Sequence, residues 1–406
     1  MGANMSKIKY TLIFLISLFW LSACDKEQNN EPEINSCNPT GVSGALIQST
    51  FILTITPDQV EAALSAYLPI NYELDYSADV YSVTYNTRDK DDNLIVVSGA
   101  MFIPVGLDSL DLLSTQHGTT LKRTDVGSVN FYYAIDGLLM AMKGYLVVAP
   151  DYIGLGQSDL FHPYLHAQLS ANPVIDMLRA ARAYACDEEL ALSGRLFLSG
   201  YSEGGYVTLA TQKIIETQHS DEFDLMGVSP MAGPYDLVGS TETLLNQSHY
   251  ENPSYLAYMV YAYNDIYEWN RLNDIFQEPY ASMMPELYNG TVAADSINSR
   301  LTTSIDSLFT QSFKLSFLAG EEAELESALV ENSFEGWGPI APVRLIHGTN
   351  DTTVPYANSE VVYHSMLDNG GVSVDLVPIY GADHLTAAFP AFIIAEQWFD
   401  SLRTAN

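Results

Sequence analysis

Basic side chains are scarce in this 406-residue sequence, which has 17 lysines and arginines against 50 aspartates and glutamates and a formal net charge of −33 at pH 7. A surface this acidic repels the phosphates of nucleic acids and the anionic faces of membranes, which excludes both as ligands. We interpret the acidic residues as a solvated shell that keeps a secreted protein soluble. Hydrophobic residues make up 47% of the chain, enough to bury the core of one large α/β domain with an insertion, or of two domains.

Long apolar runs are scarce as well. The N-terminal run from Tyr10 to Leu21 is too short for a comfortable transmembrane helix and, following two lysines, is typical of a signal peptide. It leads into Leu-Ser-Ala-Cys24, which resembles the bacterial lipobox, whose cysteine is acylated and becomes the mature N-terminus. We predict a lipoprotein signal peptide over residues 1–23 and lipidation at Cys24. The protein would then be an outer-membrane or cell-surface lipoprotein whose membrane contact is the lipid anchor alone. An uncleaved N-terminal anchor is the alternative.

Cysteine is rare, with 3 residues in the whole chain. Beyond Cys24, only Cys37 and Cys186 remain, one near the end of an acidic, polar segment that we predict to be a flexible tether over residues 24–45. An even number of cysteines in an extracytoplasmic protein permits a disulfide, which would attach the tether to the body of the protein. Two unpaired thiols fit the sequence nearly as well, so both possibilities stay open.

Apolar runs alternate with helical patterns from about residue 80 onward, which predicts an α/β fold with a mostly parallel sheet covered on both faces. A charged turn at 88–93 joins the first two strands into an antiparallel hairpin at one edge. Asn172 is a plausible N-cap, with Pro173 at the first helical position. The predicted strands are 80–85, 94–103, 110–116, 144–149, 196–200, 226–233, 343–348 and 372–380, and the main helices are 172–185, 206–215 and 389–403.

One segment interrupts this alternation, because no convincing strand lies between Gly233 and Pro342. So long a stretch is not a loop of a compact domain, and it has helical patterns around 253–276 and 297–329. We predict a helical cap over the active site. Its dense tyrosines fit the core of the cap better than a substrate groove, since aromatic residues at helical spacing usually pack. The predicted boundaries are 46–233 and 336–406 for the α/β core and 234–335 for the cap.

The nucleophile is predicted by the sequence around Ser202. An apolar strand ends in Gly200-Tyr-Ser-Glu-Gly204, and a helical pattern follows. This is the G-x-S-x-G nucleophile elbow in its strand–turn–helix context. The glycines lack the Cβ atoms that would collide across the tight turn. The backbone N–H of Glu203, at the start of the helix, is then placed to stabilise an oxyanion.

A nucleophilic serine needs a base and a carboxylate that orients the base. His384 follows the last predicted strand, where the base lies when the triad residues occur in the order Ser, acid, His. The loop after the preceding strand supplies Asp351 as the acid, with Asp236, one strand earlier, as its rival. Asp383 is interpreted as a loop-capping residue.

The segment His117-Gly118-Thr119 follows an early strand, where folds of this type supply a second oxyanion donor. The N–H of Thr119 is the predicted donor and that of Gly118 the alternative, while His117 is interpreted as structural. His162 and His166 are four residues apart, but no Glu or Cys of matching spacing accompanies them and a proline intervenes. We therefore predict that they pack a loop, with no metal site and no cofactor.

Several motifs together resemble the secretory lipase family of α/β-hydrolases, which includes Candida lipase A-like enzymes and many bacterial esterases. They are the segments that begin at Pro150, His162, Asp176, Gly200 and His347, within a similarity spanning roughly residues 80–400 and weakest in the cap. The resemblance implies an α/β-hydrolase fold with a helical cap between the sixth and seventh core strands. It also implies a serine carboxylester hydrolase acting on a small-molecule, lipid or glycan ester. Glu203 departs from the family, which often has Gln after the nucleophile.

Two other functions share part of this pattern. A prolyl-oligopeptidase-like serine peptidase shares the G-x-S-x-G-G pattern, but such domains usually carry a large separate domain over the active site. A non-catalytic binding protein with a hydrolase fold would usually have lost one of the three triad residues.

Overall fold

The computed structural model describes residues 37–64 and 73–404. The predicted signal peptide, Cys24 and most of the predicted tether lie outside the described residues. Within the described residues the chain forms one mixed sheet with helices on both sides. None of the helices there combines the length and the apolar character that a membrane-spanning helix needs.

Nine strands of the described chain form the sheet in the spatial order β1-β2-β3-β5-β4-β6-β7-β8-β9. The first three strands and the β3–β5 pair are antiparallel, and all pairs from β4 to β9 are parallel. The strands are β1 (Leu46–Ile55), β2 (Ala78–Arg88), β3 (Leu94–Pro104), β4 (Leu110–Gln116), β5 (Tyr145–Pro150), β6 (Leu192–Tyr201), β7 (Asp224–Met231), β8 (Val343–Gly348) and β9 (Val374–Ile379).

Helices of the same described ranges cover both faces and form the insertion. They are α1 (Pro57–Leu64), α2 (Ile135–Met142), α3 (Ala167–Asp187), α4 (Glu203–Gln218), α5 (Leu237–Leu245), α6 (Pro253–Ile266), α7 (Leu272–Ile275), α8 (Tyr280–Leu287), α9 (Ala294–Arg300), α10 (Ile305–Leu308), α11 (Gln311–Leu318), α12 (Ala323–Glu331), α13 (Ala357–Asp368) and α14 (Ala388–Thr404), with a 3₁₀ turn at Phe131–Ala134.

The apolar run of β6 is buried on both faces, as expected for a central strand of a covered parallel sheet. Leu196 and Leu198 belong to the core beneath α3 and α4, whereas Phe197 between them packs against Phe399 of α14 on the opposite face. Successive side chains of a strand point to opposite faces, so a continuous apolar run serves both layers. This buried strand gives the turn after it a rigid base.

The predicted α/β fold is confirmed, and the eight predicted strands correspond to β2 through β9. The edge strand β1, paired with β2, was not predicted. Eight helices, α5 to α12, occupy the chain between β7 and β8. The insertion therefore follows the seventh strand of the sheet when β1 is counted.

The predicted start of the long helix at Asn172 is wrong. Helix α3 begins at Ala167, and Pro173 lies inside it. The side chain of His166 caps the helix by accepting a hydrogen bond from the N–H of Leu169 at 3.4 Å. The buried face of α3 packs against the sheet and α4, and this tertiary packing outweighs the local preference for Pro at a first helical turn.

The structure pairs Cys37 with Cys186, whose Cα atoms are 5.7 Å apart. The bond joins the first described residue to the last turn of α3. Of the two possibilities that the sequence left open, the structure has the disulfide.

Candidate active site

Ser202 lies between β6 and α4 in a backbone conformation that few non-glycine residues adopt, with φ of 61° and ψ of −123°. A Cβ atom on Gly204 would collide with the carbonyl oxygen of Gln116, and one on Gly200 with the carbonyl oxygen of Gly204. Glycine is therefore required on both sides of the turn. The strained turn holds the serine side chain at the carboxyl end of the sheet, as the elbow sequence predicts.

The structure brings Ser202, His384 and Asp351 into one hydrogen-bonded chain. Nε2 of His384 lies 2.9 Å from Oγ of Ser202, and Nδ1 lies 2.5 Å from Oδ2 of Asp351. A carboxylate accepts, so Nδ1 carries the hydrogen and Nε2 is free to accept the serine proton. The two loops meet because β8 and β9 are parallel neighbours, with Gly348 opposite Ile379.

Hydrogen bonds converge on the carboxylate of Asp351. Its Oδ1 accepts from the N–H groups of Thr353 and Val354, both at 2.9 Å. Burial alone would raise the pKa of Asp351, but hydrogen bonds from His347 and His384 outweigh burial and lower it to about 2. The group is therefore an ionised acceptor for His384 across the neutral pH range.

A second histidine, which was not predicted as a site residue, contacts the same carboxylate. His347 is completely buried, with Nε2 at 3.2 Å from Oδ2 of Asp351 and 3.0 Å from the carbonyl oxygen of Val354. Both neighbours are acceptors, so Nε2 carries a hydrogen, while Nδ1 lies 2.7 Å from Oγ of Ser359. The short separation of four residues between His347 and Asp351 was the feature of the sequence that could have indicated this contact.

The other two aspartates near these loops have different partners. Asp236 is the N-cap of α5, where its side chain accepts from the N–H of Gly239 at 2.8 Å. Asp383 accepts from the N–H groups of Leu385 and Thr386, which is the loop-capping contact predicted for it.

The loop that carries His384 is also hydrogen-bonded to the end of β6. The Tyr201 hydroxyl donates to the carbonyl oxygen of His384 at 2.6 Å.

The segment predicted to supply the second oxyanion donor lies next to the serine. A Cβ atom on Gly118 would be 3.7 Å from Cβ of Ser202, so the backbone passes Ser202 closely. Thr119 lines the same cavities as Ser202, and its hydroxyl lies 2.9 Å from that of Tyr164. Glu203 is the first residue of α4, where a backbone N–H has no partner within the helix.

His162 and His166, which were predicted to pack a loop, make different contacts in the structure. His166 caps α3, as described above. His162 is buried, and its Nε2 lies 2.7 Å from Oε1 of Glu203, a buried contact that the sequence analysis missed. The two residues are 41 positions apart, so no local pattern could have paired them. Among the described residues, no group of three or more His, Cys, Asp or Glu side chains could hold a metal ion.

Two cavities meet at Ser202. The first, which we call the apolar cavity, has a volume of about 60 Å³ and is lined mainly by side chains of α5, α6 and the loop after Asp351, including Leu237, Leu244, Leu256 and Met259. The second, the polar cleft, has a volume of about 460 Å³ and extends from Ser202 and His384 past the Thr119 loop toward Lys122, Asp125 and Tyr133.

This sheet order, with a nucleophile elbow after β6 and a histidine after β9, defines an α/β-hydrolase. The chain belongs to the secretory lipase family, whose model matches residues 127–404. No curated protein matches the chain significantly in sequence.

Solved structures agree with this assignment. The Legionella pneumophila protein lpg1103 has a TM-score of 0.83 and 28% identity over 89% of this chain and 99% of its own. The rice cell wall degrading esterase LipA from Xanthomonas oryzae has a TM-score of 0.79 and 28% identity over 89% of this chain and 98% of its own. Candida antarctica lipase A, at 16% identity and a TM-score of 0.66 over 89% of this chain and 83% of its own, shares the fold.

Proposed function

We propose that this member of the lipase and esterase hydrolases is a serine carboxylester hydrolase that works through an acyl-enzyme. The observation that carries the proposal is the chain of hydrogen bonds from Ser202 Oγ through His384 to Asp351, at 2.9 Å and 2.5 Å. It has the polarity that a nucleophilic serine requires, because Asp351 accepts from Nδ1 and leaves Nε2 as the base.

In the first half-reaction, Oγ of Ser202 attacks the ester carbonyl carbon while Nε2 of His384 takes the hydroxyl proton. The resulting imidazolium is stabilised by Asp351 and returns the proton to the leaving alcohol as the ester bond breaks. Water then attacks the acyl-serine by the same route. His384 accepts the water proton and gives it to Ser202, and the free acid leaves.

The negative charge that develops on the carbonyl oxygen needs donors that are in place before the reaction. We assign this role to the backbone N–H groups of Glu203 and Thr119. The first stands at the N-terminus of α4, where the helix dipole also favours negative charge. The second belongs to the loop that passes Ser202 at Gly118.

The two cavities differ in a way that bears on the substrate. The apolar cavity is the smaller of the two, with about 60 Å³ against about 460 Å³ for the polar cleft. We assign it to the acyl chain, which would then be short. The polar cleft is several times larger and contains Lys122 and Asp125, which suits a bulkier, polar alcohol portion.

The test is labelling and turnover with a matched variant. The wild-type protein is expected to react stoichiometrically with a fluorophosphonate and to hydrolyse p-nitrophenyl butyrate. Ser202→Ala should lose the label and at least roughly 10⁴-fold in kcat while keeping its thermal unfolding midpoint. A Ser202→Ala protein that keeps more than about a tenth of the activity would contradict the assignment. Peptide anilides separate an esterase from a peptidase, and a wild type inert to every substrate and to the label would indicate a binding protein.

A further inference from the structure

The side chain that follows the nucleophile is a buried carboxylate. Glu203 is 1% exposed, although its backbone N–H is one of the two assigned to the oxyanion. Its Oε2 has no hydrogen-bond partner among the described residues. An isolated negative charge here would oppose the charge that develops during ester attack, and its burial would itself cost free energy. Something must therefore compensate the carboxylate.

His162 is the basic side chain within ion-pair distance of Glu203 among the described residues. Its ring is as deeply buried as its partner, and its two nitrogens face different oxygens. Nδ1 lies 2.8 Å from the carbonyl oxygen of Ile153, and Nε2 lies 2.7 Å from Oε1 of Glu203.

These contacts determine where protons can be. A carbonyl oxygen only accepts, so Nδ1 of His162 carries a hydrogen. The short contact at Nε2 then has two possible forms, an imidazolium donating to a carboxylate or a carboxylic acid donating to a neutral imidazole. In both forms one proton lies between the two side chains, and the net charge of the pair is zero.

The His162 imidazole is also linked, through Tyr152, to the loop that carries Thr119. His162 stacks on Tyr152 with ring centroids 5.9 Å apart, and Tyr152 stacks on His117 at 4.2 Å. The Tyr152 hydroxyl donates to the carbonyl oxygen of His117, the residue that begins the Gly118–Thr119 loop. His162 is thus in contact with Glu203 directly and with the Thr119 loop through one intervening ring.

We propose that His162 is a positioning residue for the ester hydrolysis proposed above, on which this inference rests. By sharing one proton with Glu203, it cancels the negative charge next to the oxyanion and fixes the first turn of α4. A shared proton accounts for the burial of a glutamate carboxylate beside the oxyanion site. The effect of losing His162 should then depend on whether residue 203 carries a carboxylate.

A double-mutant cycle tests this dependence. His162→Phe keeps a ring for the stack on Tyr152 but removes both nitrogens, and it is made in the wild-type and in the Glu203→Gln background. With Glu203 present, we expect kcat for p-nitrophenyl butyrate to fall about tenfold or more while KM changes little, because the oxyanion is destabilised. In the Glu203→Gln background, the same change should cost less than about threefold.

His162→Gln provides a second variant if the phenylalanine protein folds poorly. Glutamine can still donate a hydrogen bond to Glu203 but cannot supply a proton, so we expect a loss of kcat that Glu203→Gln again relieves. Titration of Ser202 with a fluorophosphonate gives the concentration of folded sites in each variant. Thermal unfolding midpoints of the wild type, the two single variants and the double variant of each cycle measure the coupling between residues 162 and 203 independently of activity.

The outcomes separate the two proposals. Equal costs of the His162 substitution in both backgrounds, or no cost with Glu203 present, would overturn the role of His162 and leave the esterase proposal intact. A wild-type protein that neither hydrolyses esters nor takes the label would overturn the esterase proposal and the positioning role of His162 together. Non-additive unfolding midpoints would then show only that residues 162 and 203 interact.

Discussion

Nδ1 of His384 donates to Oδ2 of Asp351 at 2.5 Å, whereas Asp236 accepts from the N–H of Gly239 as the N-cap of α5. The sequence offered both aspartates as the triad acid, and they differ only in which strand precedes them. Strand β8 adjoins β9, which leads into the His384 loop, and β7 lies one strand farther away. The loop of Asp351 is therefore the one beside the histidine.

This relationship predicts different effects for two isosteric substitutions. Asp351→Asn should lower kcat by roughly 10³- to 10⁴-fold with little change in KM, because the amide cannot stabilise the imidazolium or hold the Nδ1–H tautomer. Asp236→Asn is the matched control, since asparagine is an equally good N-cap. Steady-state kinetics of both variants on p-nitrophenyl butyrate provide the measurement. The reverse pattern would transfer the acid to Asp236 and leave Ser202 and His384 in place.

Asp351 should also contribute to stability in a pH-dependent way. Burial opposes its ionisation, but the hydrogen bonds from His347 and His384 lower its pKa from 3.8 to about 2. A lowered pKa stabilises the fold above the unfolded-state value, and this contribution is lost as the pH falls through the folded-state value. We expect it to be on the order of 2 kcal/mol at neutral pH.

Thermal unfolding of the wild type and Asp351→Asn across the acid range checks this expectation. The variant cannot titrate at this position, so its deficit in Tm should be largest near neutral pH and should shrink as the pH falls from about 4 toward about 2. A deficit that is independent of pH over that range would show that the ionisation of Asp351 does not stabilise the fold.

The size of the apolar cavity predicts a preference for short acyl chains. Met259, which is 4% exposed, lines the cavity from α6. Met259→Ala should enlarge the cavity and raise the ratio of kcat/KM for the laurate ester over the butyrate ester by about tenfold, since each added methylene contact is worth roughly that factor. Leu315→Ala, at an exposed position of α11 in the same insertion, is the control. An unchanged ratio in Met259→Ala would place the acyl chain elsewhere.

We propose that the protein is anchored to the cell envelope through Cys24, which lies outside the described residues. Mass spectrometry of the detergent-extracted protein should then find no peptide from residues 1–23 and a lipid adduct on the N-terminal peptide. Cys24→Ser should leave an uncleaved, unmodified precursor. An intact signal segment in the wild-type protein, or an unmodified soluble N-terminus, would contradict the proposal.

Much of the site was predictable because its requirements are local. A serine nucleophile needs a tight turn with glycine on both sides, and the five consecutive residues 200–204 meet this requirement. The order of strands along the chain also identified the loops of Asp351 and His384. Strands β8 and β9 are parallel neighbours, which agrees with the preference for Asp351 over Asp236.

The sequence by itself thus determined the fold class, the family and the residues that form the hydrogen-bonded chain, because each depends on short motifs and their order. The tertiary structure alone decided the rest. The Cys37–Cys186 disulfide spans 149 positions, and the His162–Glu203 contact spans 41. Such pairs form only when the packed sheet and helices bring distant segments together. Tertiary packing also explains why α3 begins at Ala167 and not at the predicted Asn172. Contacts of this kind depend on packing in three dimensions, which no local spacing in the chain records.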